Sequence, residues 1–511
     1  MVSIERERDP EVLRQVAKLL DNENKRLHEK LRAAIEENLK LKNAEPSQLQ
    51  LELLRLQELV NKQRHTIFGD SSERGATGST SKGGNKPQRG HGHTEQPLLP
   101  VEQMVHELDT ADRHCPSCGG ELCEMQGQFE DSELVHVVER HFKVVTHKRK
   151  KYRCACNAHI QTAPGPNKLI PGGRYAVDFA IEVALQKYLE HMPLERQVKS
   201  MRRDGLVVTT QTLWDQLVAL AKRLGTDDLM DRMLRYLLSK TVLGADETVW
   251  RLLDKKGKQA GSSKWYAWSV CGDDAVYYLI SETRGSSTAA ELLGGYHGTL
   301  VTDGYYVYQR LRDQPGTDFR LAFCWSHVRR AFLEAGPSYR EARAIVALID
   351  ELFAVERLLP RGPPGNDGHA QLVKLRAERS QPILDAIRCW LDDLKGAVLP
   401  DSSIGEAVDY THNLWSGLTT FVHDANVPLS NNATERALRG LVLGRKNHYG
   451  SKSQLGTEIA AFFYTLLESA KLADIDPRLY LRTAVDAAFA GASVPLPHEL
   501  AKAAMATYVA A

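Results

Sequence analysis

Apolar residues recur every seventh position near the N-terminus. Leu13, Leu20, Leu27, Ala34 and Leu41 hold one seam position, and Ala17, Asn24, Leu31 and Asn38 hold the other. This heptad predicts a coiled coil, in which two seam asparagines cost stability but fix register and favour a parallel dimer. A single amphipathic helix packed on the body of the protein accounts for the same pattern. After a break at Glu45-Pro46, Leu49, Leu53, Leu56, Val60 and Ile67 follow at helical spacing. Residues 1–69 are therefore assigned to dimerisation. Residues 70–97 are rich in Gly, Ser, Thr, Lys and His and too poor in apolar surface to offset ordering entropy, so they read as a flexible linker.

Residues 98–171 form a small unit around clustered cysteines, with an alternating stretch at 134–152 that predicts two strands. Helical periodicity dominates 172–240. There Pro193 opens a short helix, Asp204-Gly205 makes a turn and Thr209 or Thr210 caps the next helix, which is helix-turn-helix spacing. From residue 241 the pattern changes to strands at 242–250, 264–271, 275–281 and 298–303, with a helix at 287–294 before the last. Residues 331–425 return to helical periodicity, broken by the Pro- and Gly-rich stretch 359–365. Residues 426–475 complete the strand-rich domain and 476–511 form a helical tail. The fold class predicted is a multidomain α/β protein: an N-terminal coiled coil, a small zinc-binding domain, a helical helix-turn-helix-like domain, and a ribonuclease-H-like domain (241–330 and 426–475) with an all-helical insertion.

Length and charge add limits to this picture. A chain of 511 residues exceeds a single core, so about three or four compact units are expected. The net charge of +1 neither requires nor excludes a nucleic-acid partner, so local patches decide. No apolar run reaches the roughly 20 residues that a bilayer requires and the first ten residues are charged, so a soluble, cytoplasmic protein with no membrane partner is expected.

Of the eight cysteines, five cluster. Cys115-Pro-Ser-Cys118 and Cys154-Ala-Cys156 offer four thiolates, the number that closes a tetrahedral structural Zn²⁺ site; Cys123 or His114 are alternative ligands. Four protein thiolates leave no open position, so this metal would organise the fold without performing chemistry. Beside the second pair lies a basic run of Lys148, Arg149, Lys150, Lys151 and Arg153, suited to DNA phosphates, although a solvated strand face reads the same way. In the helix-turn-helix-like region Arg196, Lys199, Arg202 and Arg203 are further candidates for DNA contact.

Three acids stand where chemistry is placed in an open α/β fold. Asp246 and Asp303 each close an apolar strand, and Glu435 sits in a polar, basic helical stretch with Arg436 and Arg439. Paired divalent metals that cut phosphodiesters need such carboxylates to converge from distant positions. Taken singly, each acid has an ordinary explanation as a turn or surface charge.

The motifs around these acids resemble the transposases of the insertion sequence 66 family. They are Asp246-Glu247-Thr248, Asp303-Gly304-Tyr305-x-x-Tyr308, Cys324-Trp325-Ser326-His327-Val328-Arg329-Arg330-x-Phe332 and Asn431-Asn432-x-x-Glu435-Arg436-x-x-Arg439. Lys187-Tyr188, Pro193-Leu194-x-Arg196-Gln197, Gly444-Arg445-Lys446-Asn447 and the stretch from Phe68 to Arg74 match as well, in consistent order over nearly the whole chain. The resemblance implies a DDE transposase: a ribonuclease-H-like core whose triad is Asp246, Asp303 and Glu435, with Mg²⁺ or Mn²⁺ as catalytic cofactor. Its implied substrates are double-stranded element ends and target DNA, its implied state a homodimer or higher assembly, and its implied location the bacterial cytoplasm, at the nucleoid when bound to DNA. It also implies accessory proteins encoded beside it.

Two features depart from the pattern. Val442, seven residues after Glu435, stands where some DDE enzymes carry a basic residue, so Arg439, Arg445 or Lys446 must supply that contact. The tail beyond Pro495 lacks the tryptophan-containing ending of the family. His327 is a candidate for active-site support, and Arg329 and Arg330 for DNA contact, with ordinary surface pairing as the alternative. Two other function classes remain on the sequence alone: a dimeric zinc-finger DNA-binding regulator with an inactive nuclease-like core, and a zinc hydrolase using Cys324 and His327.

Overall fold

The computed structural model describes residues 142–153, 160–253, 263–358 and 367–502, all within one compact unit. The coiled-coil region, the linker and Cys115, Cys118, Cys154 and Cys156 lie outside the described residues. The alternating stretch that predicts two strands is described only from residue 142. There 142–150 are not strand, and a short antiparallel pair forms instead from β1 (Lys151–Arg153) and β2 (Ile160–Thr162).

Four helices follow: α1 (Val177–Tyr188), α2 (Leu194–Arg203), α3 (Thr210–Leu224) and α4 (Thr226–Leu238). Thr209 caps α3 by accepting Thr212 N–H at 3.1 Å, and Gly205 turns the chain between α2 and α3 at φ +85. Two helices joined by a turn therefore occupy residues 194–224.

The sheet has five strands in the order β5-β4-β3-β6-β7. β3 (Val242–Leu252), β4 (Ser263–Cys271) and β5 (Val276–Ser281) form an antiparallel meander. The chain then crosses through α5 (Ser286–Leu293) to β6 (Thr299–Thr302), which lies parallel to β3, and through α6 (Tyr306–Arg312) to β7 (Arg320–Phe323), parallel to β6. An antiparallel meander extended by two parallel strands is consistent with a ribonuclease-H-like core. β6 is buried throughout, as expected of a central parallel strand with both faces covered.

α7 (Trp325–Ala335) leaves β7 and opens the helical stretch, which continues through α8 (Arg340–Glu356), α9 (Asp367–Leu375), a π-helical turn (Arg376–Ser380), α10 (Gln381–Lys395) and α11 (Ser403–Leu418). The π turn carries the fully buried Arg376, whose guanidinium pairs with Glu356 through two bonds of 2.7 Å. It also donates to the carbonyls of Phe421, Asp424 and Val427 at 2.5, 2.9 and 3.2 Å. Arg suits this place because its planar fork can satisfy five acceptors in a dry site. The helical stretch is thereby fastened to the loop that returns the chain to the sheet.

Three helices follow, α12 (Asn432–His448), α13 (Gln454–Leu472) and α14 (Pro477–Phe489), and residues 497–502 are helical again. α13 is buried nearly all round; its Ser469 and Thr465 hydroxyls accept the N–H groups of Val276 and Tyr278, each at 3.0 Å, along the outer strand β5. One hydrophobic core runs from Ala180 to Leu496. The chain beyond α14 packs on α4, where Arg232 donates to Val494 O at 2.8 Å. Among the described residues, no helix is long and apolar enough to cross a membrane.

Candidate metal centre at the sheet edge

β3 and β6 pair in parallel with Gly244 opposite Val301. Two residues further along each strand come Asp246 and Asp303, so strand register alone brings the two acids level on neighbouring chains. Asp303 follows the end of β6 as expected. Asp246 differs: it lies inside β3, which runs on to Leu252, because β4 keeps pairing with β3 beyond the point where β6 stops. The acid is at an edge, but the edge belongs to β6.

Glu435 arrives from the far side of the helical stretch, on the first turn of α12. Asn431 fixes this approach. Its side chain does not cap the helix; Nδ2 instead donates to Ala245 O at 3.0 Å, one residue before Asp246, while its N–H donates to Cys324 Sγ at 3.1 Å. Gly244 makes the close packing possible, since a Cβ there would overlap Thr434 Oγ1 and Asn431 Oδ1. Gly304 does the same beside Asp303: at φ +94, any Cβ would meet the Leu414 side chain of α11. Tyr410 of α11 donates its hydroxyl to Asp303 O.

The electrostatics follow from this convergence. Burial and the neighbouring charges of Asp303, Glu247 and Glu435 push Asp246 up to about 7. Its Oδ1 accepts only the N–H of Glu247, at 2.8 Å, and Asp303 Oδ1 accepts the N–H of Tyr305 at 2.9 Å. Glu435 Oε1 is buried without a hydrogen-bond partner; the nearest cationic candidate is His327 Nε2 at 3.6 Å. Burial lowers the His327 pKa, outweighing the opposing charges of Glu435 and Asp303. Among the described residues, no Lys or Arg pairs with any of the three acids. Hard carboxylate oxygens, a raised pKa and an unpartnered buried oxygen fit a divalent cation such as Mg²⁺ or Mn²⁺.

Cys324, His327 and Glu435 also place ligand atoms within 4.8 Å of one another. Burial pushes the Cys324 thiol up, and its sulfur already accepts the Asn431 N–H. Its hydrogen bond ties β7 to α12, which is a packing role; the carboxylates are the donors left open.

A group that the sequence reading did not single out lies beside Asp246. Glu247 is 1% exposed in its side chain, pairs with Arg284 at 2.6 Å and accepts Tyr308 Oη–H at 2.9 Å. Arg284 stacks over Tyr305 at 4.0 Å. Glu247, Tyr305 and Tyr308 all belong to the quoted motifs, so the signal was present; Arg284 comes from the β5–α5 connection and carries none. Burial raises the Glu247 pKa, outweighing the bonds to Arg284 and Tyr308.

The basic candidates divide. Arg329 pairs with Asp350 at 2.6 Å, the ordinary surface alternative, and Arg330 is exposed close to His327. Arg436 and Arg439 are exposed on α12. Arg445 points back to β3, donating to Thr248 Oγ1 at 3.1 Å and to Val249 O, while Lys446 is exposed. Arg196, Lys199, Arg202 and Arg203 are exposed on α2, and Lys148, Arg149, Lys150 and Lys151 are exposed around β1; the Arg153 side chain is outside the description.

A family model described as "Transposase IS66 family" matches residues 172–459, and one described as "zinc-finger binding domain of transposase IS66" matches residues 112–157. The relatives found include three uncharacterized proteins of Sinorhizobium fredii (strain NBRC 101917 / NGR234). The chain is 29% identical to y4jD over 77% of itself and 78% of that protein, 30% identical to y4hP over 74% and 71%, and 28% identical to y4qI over 79% and 74%.

Proposed function

Because the chain belongs to the IS66 family of transposases, we propose that it binds the ends of its insertion sequence and catalyses metal-dependent DNA strand cleavage and strand transfer with Asp246, Asp303 and Glu435. The observation that carries this reading is the register of β3 on β6, which sets the first two acids side by side, joined to the Asn431 bond that draws Glu435 to the same edge.

In this reading Asp246 and Asp303 hold Mg²⁺ or Mn²⁺ from the sheet and Glu435 completes the set from the helix. The metal, when bound, supplies Lewis-acid polarisation of the scissile phosphodiester and of the attacking water or 3′ hydroxyl. Glu247 pairs with Arg284 and accepts the Tyr308 hydroxyl beside Asp246. His327, its pKa lowered by burial, has Nε2 3.6 Å from Glu435 Oε1 and is the candidate support for that carboxylate. Arg330, Arg436, Arg439 and Lys446 face outward where strand phosphates would lie.

Cys115, Cys118, Cys154 and Cys156 hold a structural Zn²⁺ within the matched zinc-finger region. With the basic run from Lys148 to Arg153 and the exposed face of α2, that unit supplies end recognition. The N-terminal heptads pair two chains. The domain boundaries are those read from the sequence, with residues 331–425 as an insertion between the second and third acid.

The test is cleavage of an element-end duplex with Mg²⁺ by wild type and Asp303→Ala. The expected loss is about a hundredfold to a thousandfold, the scale on which removal of a single group stabilising transition-state charge acts, with end binding retained. Equal cleavage by the two proteins overturns the assignment.

A further inference from the structure

The β3–β6 ladder stops at Gly244 and Val301, two residues short of Asp246 and Asp303. Strand pairing therefore brings the two acids level without bonding one to the other. Asn431 donates to Ala245 O and Tyr410 to Asp303 O, and each of these bonds fixes one strand.

Beyond the ladder, side chains span the gap. Arg284, in the connection from β5 to α5, donates Nε and Nη2 to Glu247 Oε1 at 3.0 and 2.6 Å. Its guanidinium lies over the Tyr305 ring at 4.0 Å, and its carbonyl accepts the Tyr305 hydroxyl at 3.0 Å. Glu247 and Tyr305 are the two residues whose backbone N–H groups donate to Asp246 Oδ1 and Asp303 Oδ1, at 2.8 and 2.9 Å. The contacts thus run from Asp246 through Glu247, Arg284 and Tyr305 to Asp303. Tyr308 adds a second link between the same two motifs by donating to Glu247 Oε2 at 2.9 Å.

This tie is held from behind the acids. Alternation along β3 sends Glu247 to the sheet face opposite Asp246, where its side chain is 1% exposed. A planar guanidinium can donate twice and stack on a ring at once, which an ammonium cannot do. The backbone next to Arg284 is fixed as well. Trp268, opposite Glu247 in the β3–β4 ladder, donates Nε1 to Thr283 O at 3.1 Å and packs edge-on to Tyr308 at 6.1 Å. Groups that bond to ligating carboxylates set ligand geometry, and Mg²⁺ tolerates little departure from an octahedron with bonds of about 2.0–2.1 Å.

We propose that Arg284 is a positioning residue: by tying Glu247 to Tyr305 it sets the spacing of Asp246 and Asp303, and with it the affinity of the divalent-metal site. The proposal rests on the reading of these acids as metal ligands.

The test is Mn²⁺ binding by the full-length protein without DNA, followed by electron paramagnetic resonance of the free ion. Wild type is compared with Asp303→Ala, Arg284→Ala, Arg284→Lys and the double variant Glu247→Gln/Arg284→Ala. Loss of a positive charge beside carboxylates by itself tightens cation binding, whereas loss of the tie weakens it, so the sign separates the two effects. The double variant removes one charge of each sign and leaves no buried carboxylate without its cation, so it reads geometry alone. Mn²⁺ affinity is expected to fall about tenfold to a hundredfold in Arg284→Ala and in the double variant, the scale for groups that orient metal ligands. Arg284→Lys keeps the charge without the fork and the stack, and is expected to lie between wild type and Arg284→Ala. In cleavage of an end duplex, the Mn²⁺ concentration giving half the maximal rate is expected to rise by a similar factor.

Wild-type or tighter Mn²⁺ binding by the folded double variant overturns the positioning role. So does a defect confined to metal-free end binding, which would make Arg284 a phosphate contact. Wild-type Mn²⁺ binding by Asp303→Ala sinks the reading of the acids as the metal site. Loss of Mn²⁺ in Asp303→Ala with full binding in the double variant leaves that reading standing and removes only the role of Arg284.

Discussion

At the scale of single residues, the groups that matter are those whose surroundings oppose their ordinary ionisation. His448 ends α12 with its ring packed edge-on to Trp250 at 5.9 Å and bonded to Gly450 O at 3.2 Å. Burial, the charge of Lys187 and, to a lesser extent, His191 hold its pKa down to about 3, against the opposing bond to Gly450. The folded protein therefore keeps this ring neutral at pH values where the unfolded chain, titrating near 6.5, takes up a proton. Stability from this group is complete above about pH 6.5 and is lost as pH falls toward about 3, at about 1.4 kcal/mol per pH unit where one extra proton binds the unfolded state. In urea titrations at pH 7.5 and 5, His448→Gln is expected to lose less stability on acidification than wild type. An identical loss in the two proteins would remove His448 as the cause. No periodicity marks this histidine; Lys187 and Trp250 reach it from far along the chain.

At the scale of elements, the patterns that repeat were legible and the single contacts were not. Alternation and apolar runs placed β3, β4, β5 and β6 to within a residue or two, and the 3.6-residue period marked the stretch after His327 as helical without dividing it into helices. β7 (Arg320–Phe323) went unread. The early end assigned to β3 has a different origin: Thr248 to Leu252 alternates less clearly, and only the pairing with β4 keeps it extended. Docking of α12 on β3 depends on a missing Cβ at Gly244. Gly244→Ala is expected to cost about 1–3 kcal/mol by overpacking against Thr434 and Asn431. It is also expected to reduce end cleavage more than end binding, because it moves Glu435 away from Asp246. Wild-type stability together with wild-type cleavage would show that the helix is not held there.

For the whole molecule, variants can separate the roles proposed for the sheet unit and for the zinc-finger region. If Cys115, Cys118, Cys154 and Cys156 hold one metal, the purified protein carries about one Zn²⁺ per chain and Cys115→Ser carries none. End binding is then expected to weaken at least tenfold in Cys115→Ser, while Asp303→Ala keeps both its zinc and its end binding. Full zinc content in Cys115→Ser would point to a different ligand set, Cys123 or His114 included. By itself the sequence determined what local spacing encodes: the heptad seam, the cysteine pairs, the helix and strand periods, and the motifs that marked three acids and the family. Convergence of those acids was decided only by tertiary structure. The distance between residues 246, 303 and 435 depends on strand register, on one asparagine bond and on two glycines that let helices approach, and none of these leaves a period in the chain.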